Sequence, residues 1–180
     1  MNRNLKIPVL ISAILLFGFS ECKTQDNKDM IDKTTVQSLD IQRYLGTWYE
    51  IARFQHSFEK DLVGCTATYT LKGNGKIEVL NQGYYKTLDG KLKVARGKAK
   101  RTDQPGKLKV AFFLFFYAEY NVMELDQEGY QWALIGSSTP GYLWILSRKP
   151  VIPDELYQKI LKKAEKRGYD VTKIFKVPQK

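Results

Sequence analysis

The sequence predicts an all-β fold: an eight-stranded, up-and-down antiparallel β-barrel with a C-terminal α-helix packed on its outside. Three observations predict it. Short apolar-alternating runs recur through residues 47–149, divided by turn signals at hairpin spacing, which marks a barrel or a sandwich. The run "KLKVARGKAK" puts Ala95, Gly97 and Ala99 on one face and Arg96, Lys98 and Lys100 on the other. A filled sandwich core prefers large side chains there, so this strand favours a barrel with room inside. After Pro150 the period changes from two to that of a helix.

The runs follow in order. "TWYEIARF" comes first, then "CTATYTL", ended by Gly73-Asn74-Gly75. "KIEVLNQGYY" reaches Asp89-Gly90, and "KLKVARGKAK" reaches Pro105-Gly106. "KLKVAFF", "YNVMELD", "YQWALIGS" and "YLWILSRK" complete the eight, with turns at Asp126–Gly129 and Ser137–Gly141. Pro153 suits a helix start, with Asp154 and Glu155 in the first turn. Leu156, Ile160, Leu161 and Ala164 form its apolar stripe, basic residues fill its last turns, and Gly168 stops it. "TKIFKV" supplies a short ninth strand.

The first 39 residues read differently. A basic head, "MNRNLK", precedes the apolar run "IPVLISAILLFGFS", which is too short to favour a spanning helix and marks residues 1–21 as a secretory signal peptide. "GFSEC" then resembles a bacterial lipobox, which makes Cys22 a lipidation site and a membrane anchor, although Glu21 stands where a small residue is usual. Cleavage after Ser20, giving a soluble periplasmic protein, is the alternative. Residues 22–39 are polar and largely aperiodic and are expected as a lipidated N-terminus and flexible tether, leaving 40–180 as the domain. The only other cysteine is Cys65, so the fold stands on packing alone. With 43% hydrophobic and 13% aromatic residues the chain is globular, not disordered. Its net charge of +10 favours anionic partners, but an exported chain without a basic recognition helix does not point to nucleic acid.

"RYLGTWYEIARF", residues 43–54, carries Gly46-Thr47-Trp48. "YNVMELDQEGY" carries Asp126 and Tyr130, and "YLWILSRKP" carries Arg148. These three ordered motifs resemble those of the lipocalins, closest to the bacterial outer-membrane members and their apolipoprotein D-like relatives. The resemblance covers residues 40–178. It implies a barrel base in which Gly46 opens the first strand, Trp48 plugs the closed end and Arg148 stacks on the indole. It also places Tyr69 and Asn81 at pocket-lining positions. Strand parity then adds Ala67, Ile77, Val79, Ala95, Gly97, Leu108, Val110 and Phe112 to the lumen. From the later strands it adds Tyr120, Val122, Ala133, Ile135, Trp144 and Leu146. Such an apolar tube with a few hydroxyl and amide groups suits an acyl chain with a polar head.

The expected function is to bind and store or transport a fatty acid, lysophospholipid or similar amphiphile at the bacterial cell envelope. Arg53 and Lys60 are placed by position near the mouth, where they could hold a carboxylate or phosphate. An envelope interaction or stress protein without a transported ligand is the alternative, and a Cys65-dependent enzyme is a further one. The lone His56, in the first loop, is expected at the surface, and no catalytic set forms around it. No metal spacing and no cofactor motif is present. Glu50 and Glu124 share parity with lumen residues. In "AFFLFFYAEY", residues 111–120, Leu114 and Phe115 stand where relatives carry Gly-Pro. Leu114, Phe115 and Phe116 cannot all be buried, which predicts an apolar rim that contacts lipid, a lid or a second copy in a homodimer.

Overall fold

The computed structural model describes residues 31–180 apart from Asn74, Phe113 and Phe115. The signal peptide, Cys22 and Phe115 therefore lie outside the described residues. A single helical turn, α1 (Ile41–Tyr44), leads into β1 (Gly46–Phe54), β2 (Leu62–Leu71), β3 (Ile77–Tyr85) and β4 (Leu92–Arg101). Then come β5 (Lys107–Ala111), β6 (Ala118–Leu125), β7 (Trp132–Gly136) and β8 (Leu143–Ser147). Helix α2 (Asp154–Lys166), a 3₁₀ turn at Val171–Lys173 and β9 (Ile174–Lys176) end the domain.

Neighbouring strands pair antiparallel in sequence order, and β1 pairs with both β2 and β8, which closes the barrel. β1 pairs with β2 only over residues 46–49; beyond that β9 pairs with it through Ala52–Phe54. The chain runs from the closed end up β1, so the connections 55–61, 86–91, 112–117 and 137–142 all surround the open end.

Helix α2 follows the sequence pattern. Pro153 precedes it with φ −57°, Asp154 and Glu155 face the positive end of its dipole, and Gly168 adopts φ +88° after its close. Ile160 and Ala164 are buried, joined by Tyr157, which the stripe omitted, while Leu156 and Leu161 are only partly covered. The face packs against Ile51, Ala52, Met123, Leu134 and Ile145 on the outside of the barrel.

Two β-bulges account for the failures of parity. Register shifts between Glu50 and Ala52 in β1, and between Val122 and Glu124 in β6. An extra residue turns every later side chain to the opposite face. Val122 and Leu125 thus join the inner cluster while Met123 packs outside. Glu124 is no lumen acid: it receives Lys163 Nζ at 2.8 Å and Arg167 Nη2 at 2.8 Å from α2. The first strand shows the same effect, because Arg53 is fully buried and bonded to Glu50, an inner residue.

Two further expectations change. The fifth strand stops at Ala111, leaving Phe112 in the loop. Residues 31–39 are not a free tether, because they lie along the barrel. Asp32 N donates to Arg167 O at 2.8 Å and its carboxylate pairs with Arg167 Nη1 at 3.1 Å. Val36 N donates to Val122 O at 2.9 Å, and Val36 and Leu39 pack on the inner cluster.

Candidate functional site

The candidate site is the lumen, built upward from a sealed floor. Gly46 has φ +89°, a conformation that favours glycine, and this turn brings Trp48 across the closed end with no exposed surface. Trp48 Nε1 donates to Tyr44 O at 2.8 Å. The Arg148 guanidinium carbon lies 3.7 Å from the centroid of the Trp48 ring. Arg148 also donates to the carbonyls of Thr47 at 2.8 Å, Arg43 at 2.7 Å and Leu45 at 2.8 Å. It therefore serves as a cap for the α1 turn as well as a lid on the indole.

Above the floor stands a tyrosine group. Tyr69 Oη donates to Tyr120 Oη at 2.9 Å, and Tyr44 Oη lies 2.7 Å from Tyr120 Oη. Burial pushes all three phenols above their usual range, so they stay neutral hydrogen-bonding groups. Tyr44 was missed in the sequence because it precedes the first strand; the only signal was its place two residues before Gly46.

The predicted lumen residues divide into two levels. Tyr69, Ile77, Val79, Ala99, Val110, Val122, Ala133, Ile135 and Leu146 form one buried inner cluster, with Ala67, Tyr120 and Trp144 packed against it. Leu108 is buried. Higher up, Asn81 faces Ala95 and Val79 faces Gly97 across β3 and β4. Cross-strand partners share a face, so Ala95 and Gly97 look inward. Ala95 is nevertheless exposed, because β4 pairs with β5 only from Lys98 onward. A Cβ at Gly97 would stand 2.8 Å from the Phe112 ring, so Phe112 leans over the inner wall although it is 45% exposed.

Near the mouth the lumen turns polar. Arg53 Nη1 donates to Glu50 Oε1 at 2.6 Å, and Nη2 donates to Glu59 O at 2.7 Å and Leu62 O at 3.0 Å. Arg53 is thus no free rim cation; it is fully buried and holds the 55–61 connection over the lumen. Lys60 is the exposed one. Glu59 Oε2 accepts from Trp144 Nε1 at 3.1 Å and lies 3.9 Å from Arg53 Nε, which makes no hydrogen bond among the described residues. Burial first, and the Glu59 charge second, push the Glu50 carboxyl up to about 8 against the pull of Arg53. Two carboxylates share one guanidinium, and burial raises both above the usual carboxylate range. Asn81 Oδ1 is also buried without a partner among the described residues.

His56 is not a plain surface residue. It stacks on Phe58 at 5.2 Å and Tyr142 at 4.5 Å, with its Nε2 buried, and burial and Arg53 lower its pKa. Cys65 Sγ lies 3.7 Å from Arg53 Nη1. Burial pushes its thiol up to about 12, so it is no ready nucleophile. Among the described residues no group of three or more His, Cys, Asp or Glu could hold a metal ion.

Residues 39–179 match the family model of the lipocalin-like domain. The outer membrane lipoprotein Blc of Escherichia coli strain K12 is 48% identical over 175 residues, 96% of this chain and 97% of its own. Mouse apolipoprotein D is 36% identical over 149 residues, covering 77% and 76% of the two chains. Insecticyanin from the tobacco hornworm Manduca sexta superposes with a TM-score of 0.66 over 84% of this chain and 90% of its own, at 19% identity. The last shows the barrel alone. The near-complete match to outer membrane lipoproteins places this chain at the bacterial outer membrane, held by lipid.

Proposed function

This chain belongs to the lipocalin family, and from that premise we propose that its barrel binds a fatty acid, lysophospholipid or similar single-chain amphiphile at the outer membrane. Lipocalins are binding proteins, and a hydrophobic ligand is what the family membership implies. The observation that carries the finer reading is the inner wall at Ala67, Ala95 and Gly97: small side chains, the last two on a stretch of β4 that pairs with β3 but not with β5, where Ala95 is exposed. A tail lying there loses water from roughly 0.8 kcal/mol worth of surface per methylene, offset by the cost of ordering it. The polar level above it separates tail from head. A carboxylate or phosphate replacing Glu59 beside Arg53 would meet a guanidinium nitrogen, Nε, that has no hydrogen bond among the described residues. Acylation of Cys22 after removal of residues 1–21 is proposed as the anchor; two or more lipid chains give stable residence where one is marginal.

Native mass spectrometry of the protein purified from its own cells tests this. Co-purified fatty acid or lysolipid supports the reading, and Ala95→Trp should then abolish uptake of a fluorescent fatty acid while leaving the fold intact. A wild-type barrel that is empty and takes up no fluorescent fatty acid overturns it in favour of an envelope protein without a transported ligand.

A further inference from the structure

Ten large apolar side chains among the described residues are exposed, and eight of them surround the open end; only Leu71 and Val151 lie elsewhere. Random exposure would scatter them, and a cluster at one end marks an interaction surface. The charges around the mouth are equally one-sided. Connections 55–61 and 86–91 carry acids and lysines, whereas 112–117, "FFLFFY", and 137–142, "SSTPGY", carry no charge at all. Leu114 is 60% exposed, at φ +45°, and Phe116 is 77% exposed.

The path of the N-terminal segment selects the occupant. Lys33 Nζ donates to Ser138 O at 3.1 Å, inside the uncharged 137–142 connection. From there the chain descends past Val36, on Val122, to Asp40, whose N–H donates to Tyr130 Oη at 2.9 Å at the closed end. Residue 31 therefore leaves the barrel on the mouth side. Cys22 is nine residues further back, a reach of at most about 30 Å. The nine-residue strand β1 alone spans about 30 Å. An anchor at Cys22 thus reaches a bilayer beneath the mouth with slack, but would be spent in placing the closed end there. Below the apolar loop, Lys98 and Lys100 lie over the Tyr117 ring at 5.7 and 4.5 Å on the outer wall, a position from which long cationic side chains reach headgroups.

We propose that the uncharged side of the mouth, the 112–117 and 137–142 connections, rests in the interfacial region of the membrane that anchors the chain, with the lysines of β4 on its anionic headgroups. The barrel then stands mouth-down, and the lumen opens onto the lipid rather than onto water. The surface does not depend on what the lumen binds, so fluorescent fatty acid uptake on the same samples separates this proposal from the preceding one.

The test uses the full chain with Cys22 retained, bound to vesicles of phosphatidylethanolamine and phosphatidylglycerol. A polarity-sensitive dye is attached at Phe116→Cys or, as the opposite pole, at Leu71→Cys; buried Cys65 stays in place. The expected result is a blue-shifted Phe116 label quenched several-fold more by brominated acyl chains than the Leu71 label. That quenching should fall in phosphatidylcholine vesicles or with Lys98→Glu and Lys100→Glu. Equal quenching at both positions, or none at either, overturns the proposal. A Phe116 label shielded from water but unquenched by brominated lipid, with a doubled mass, overturns it in favour of a second copy of the chain.

Discussion

The two ends of this barrel handle polar groups in opposite ways. At the closed end polar groups satisfy one another: Arg148 covers the Trp48 ring and donates to the carbonyls of Arg43, Tyr44, Leu45, Thr47 and Tyr130, and the indole N–H also donates to Tyr44 O. At the open end Arg53 Nε, His56 Nε2 and Asn81 Oδ1 are buried and unpaired among the described residues. Unpaired buried polar groups cost stability, and they persist where the structure serves something other than its own rigidity. The floor is built to stay, and the mouth is built to receive.

Substitutions at each end can break that contrast. The largest loss is expected for Trp48→Ala, roughly 3–5 kcal/mol in chemical denaturation, since a fully buried indole leaves a cavity beneath Arg148. Arg148→Lys should cost about 1–3 kcal/mol, because an ammonium cannot serve the carbonyls of Arg43, Thr47 and Leu45 together while lying flat on the ring. Losses near zero at either position would show that the floor is no stiffer than the mouth.

The pH dependence sharpens the contrast further. Glu50 is held up at about 8 in the folded barrel against an ordinary value of 4.5, so the folded chain keeps a proton that the unfolded chain sheds. Its contribution to stability is full below pH 4.5 and is lost as the pH rises through about 8. Glu50→Gln should flatten that decline in melts across this range. Glu124, on the outer wall, runs the other way. Although burial raises it, hydrogen bonds from Lys163 and Arg167 hold its carboxyl below the usual value. Its contribution is present above the unfolded value and lost as the pH falls, and Glu124→Gln should cost about 1 kcal/mol or less at neutral pH. The smallest effect belongs to the rim: Phe116→Ser should change stability within about 0.5 kcal/mol, because 77% of that side chain is already in solvent.

Much of the barrel was legible because alternation is a direct consequence of strand geometry. With Trp48 and Tyr69 placed by the family resemblance, counting in twos assigns Val79, Ile135 and Leu146 to the same face, and all five lie in one inner cluster. Counting fails where a residue is inserted. Arg53 and Glu124 both follow a bulge, and nothing in "YEIARF" or "NVMEL" announces the extra residue. The result was an arginine expected at the rim that lies inside, and a glutamate expected inside that faces α2. The polar level was illegible for a second reason. Glu59 and His56 enter it from a connection, and a loop's path over a cavity depends on contacts such as Arg53 to Glu59 O that have no sequence period.

The strand that begins the barrel is completed by residues far along the chain. Where β1 leaves β2, Val177 N bonds to Ile51 O at 2.9 Å and Gly64 N to Pro178 O at 2.7 Å. Gln179 Nε2 bridges Glu50 O at 2.6 Å and Cys65 O at 3.2 Å. These contacts join residues 129 and 114 positions apart, and loop closure over such distances is slow. A chain emerging from its N-terminus therefore holds an unclosed seam between β1 and β2 until residues 177–179 arrive. Until then β1 and β2 are joined only through Gly46–Tyr49, and the sheet keeps an open edge above that pairing.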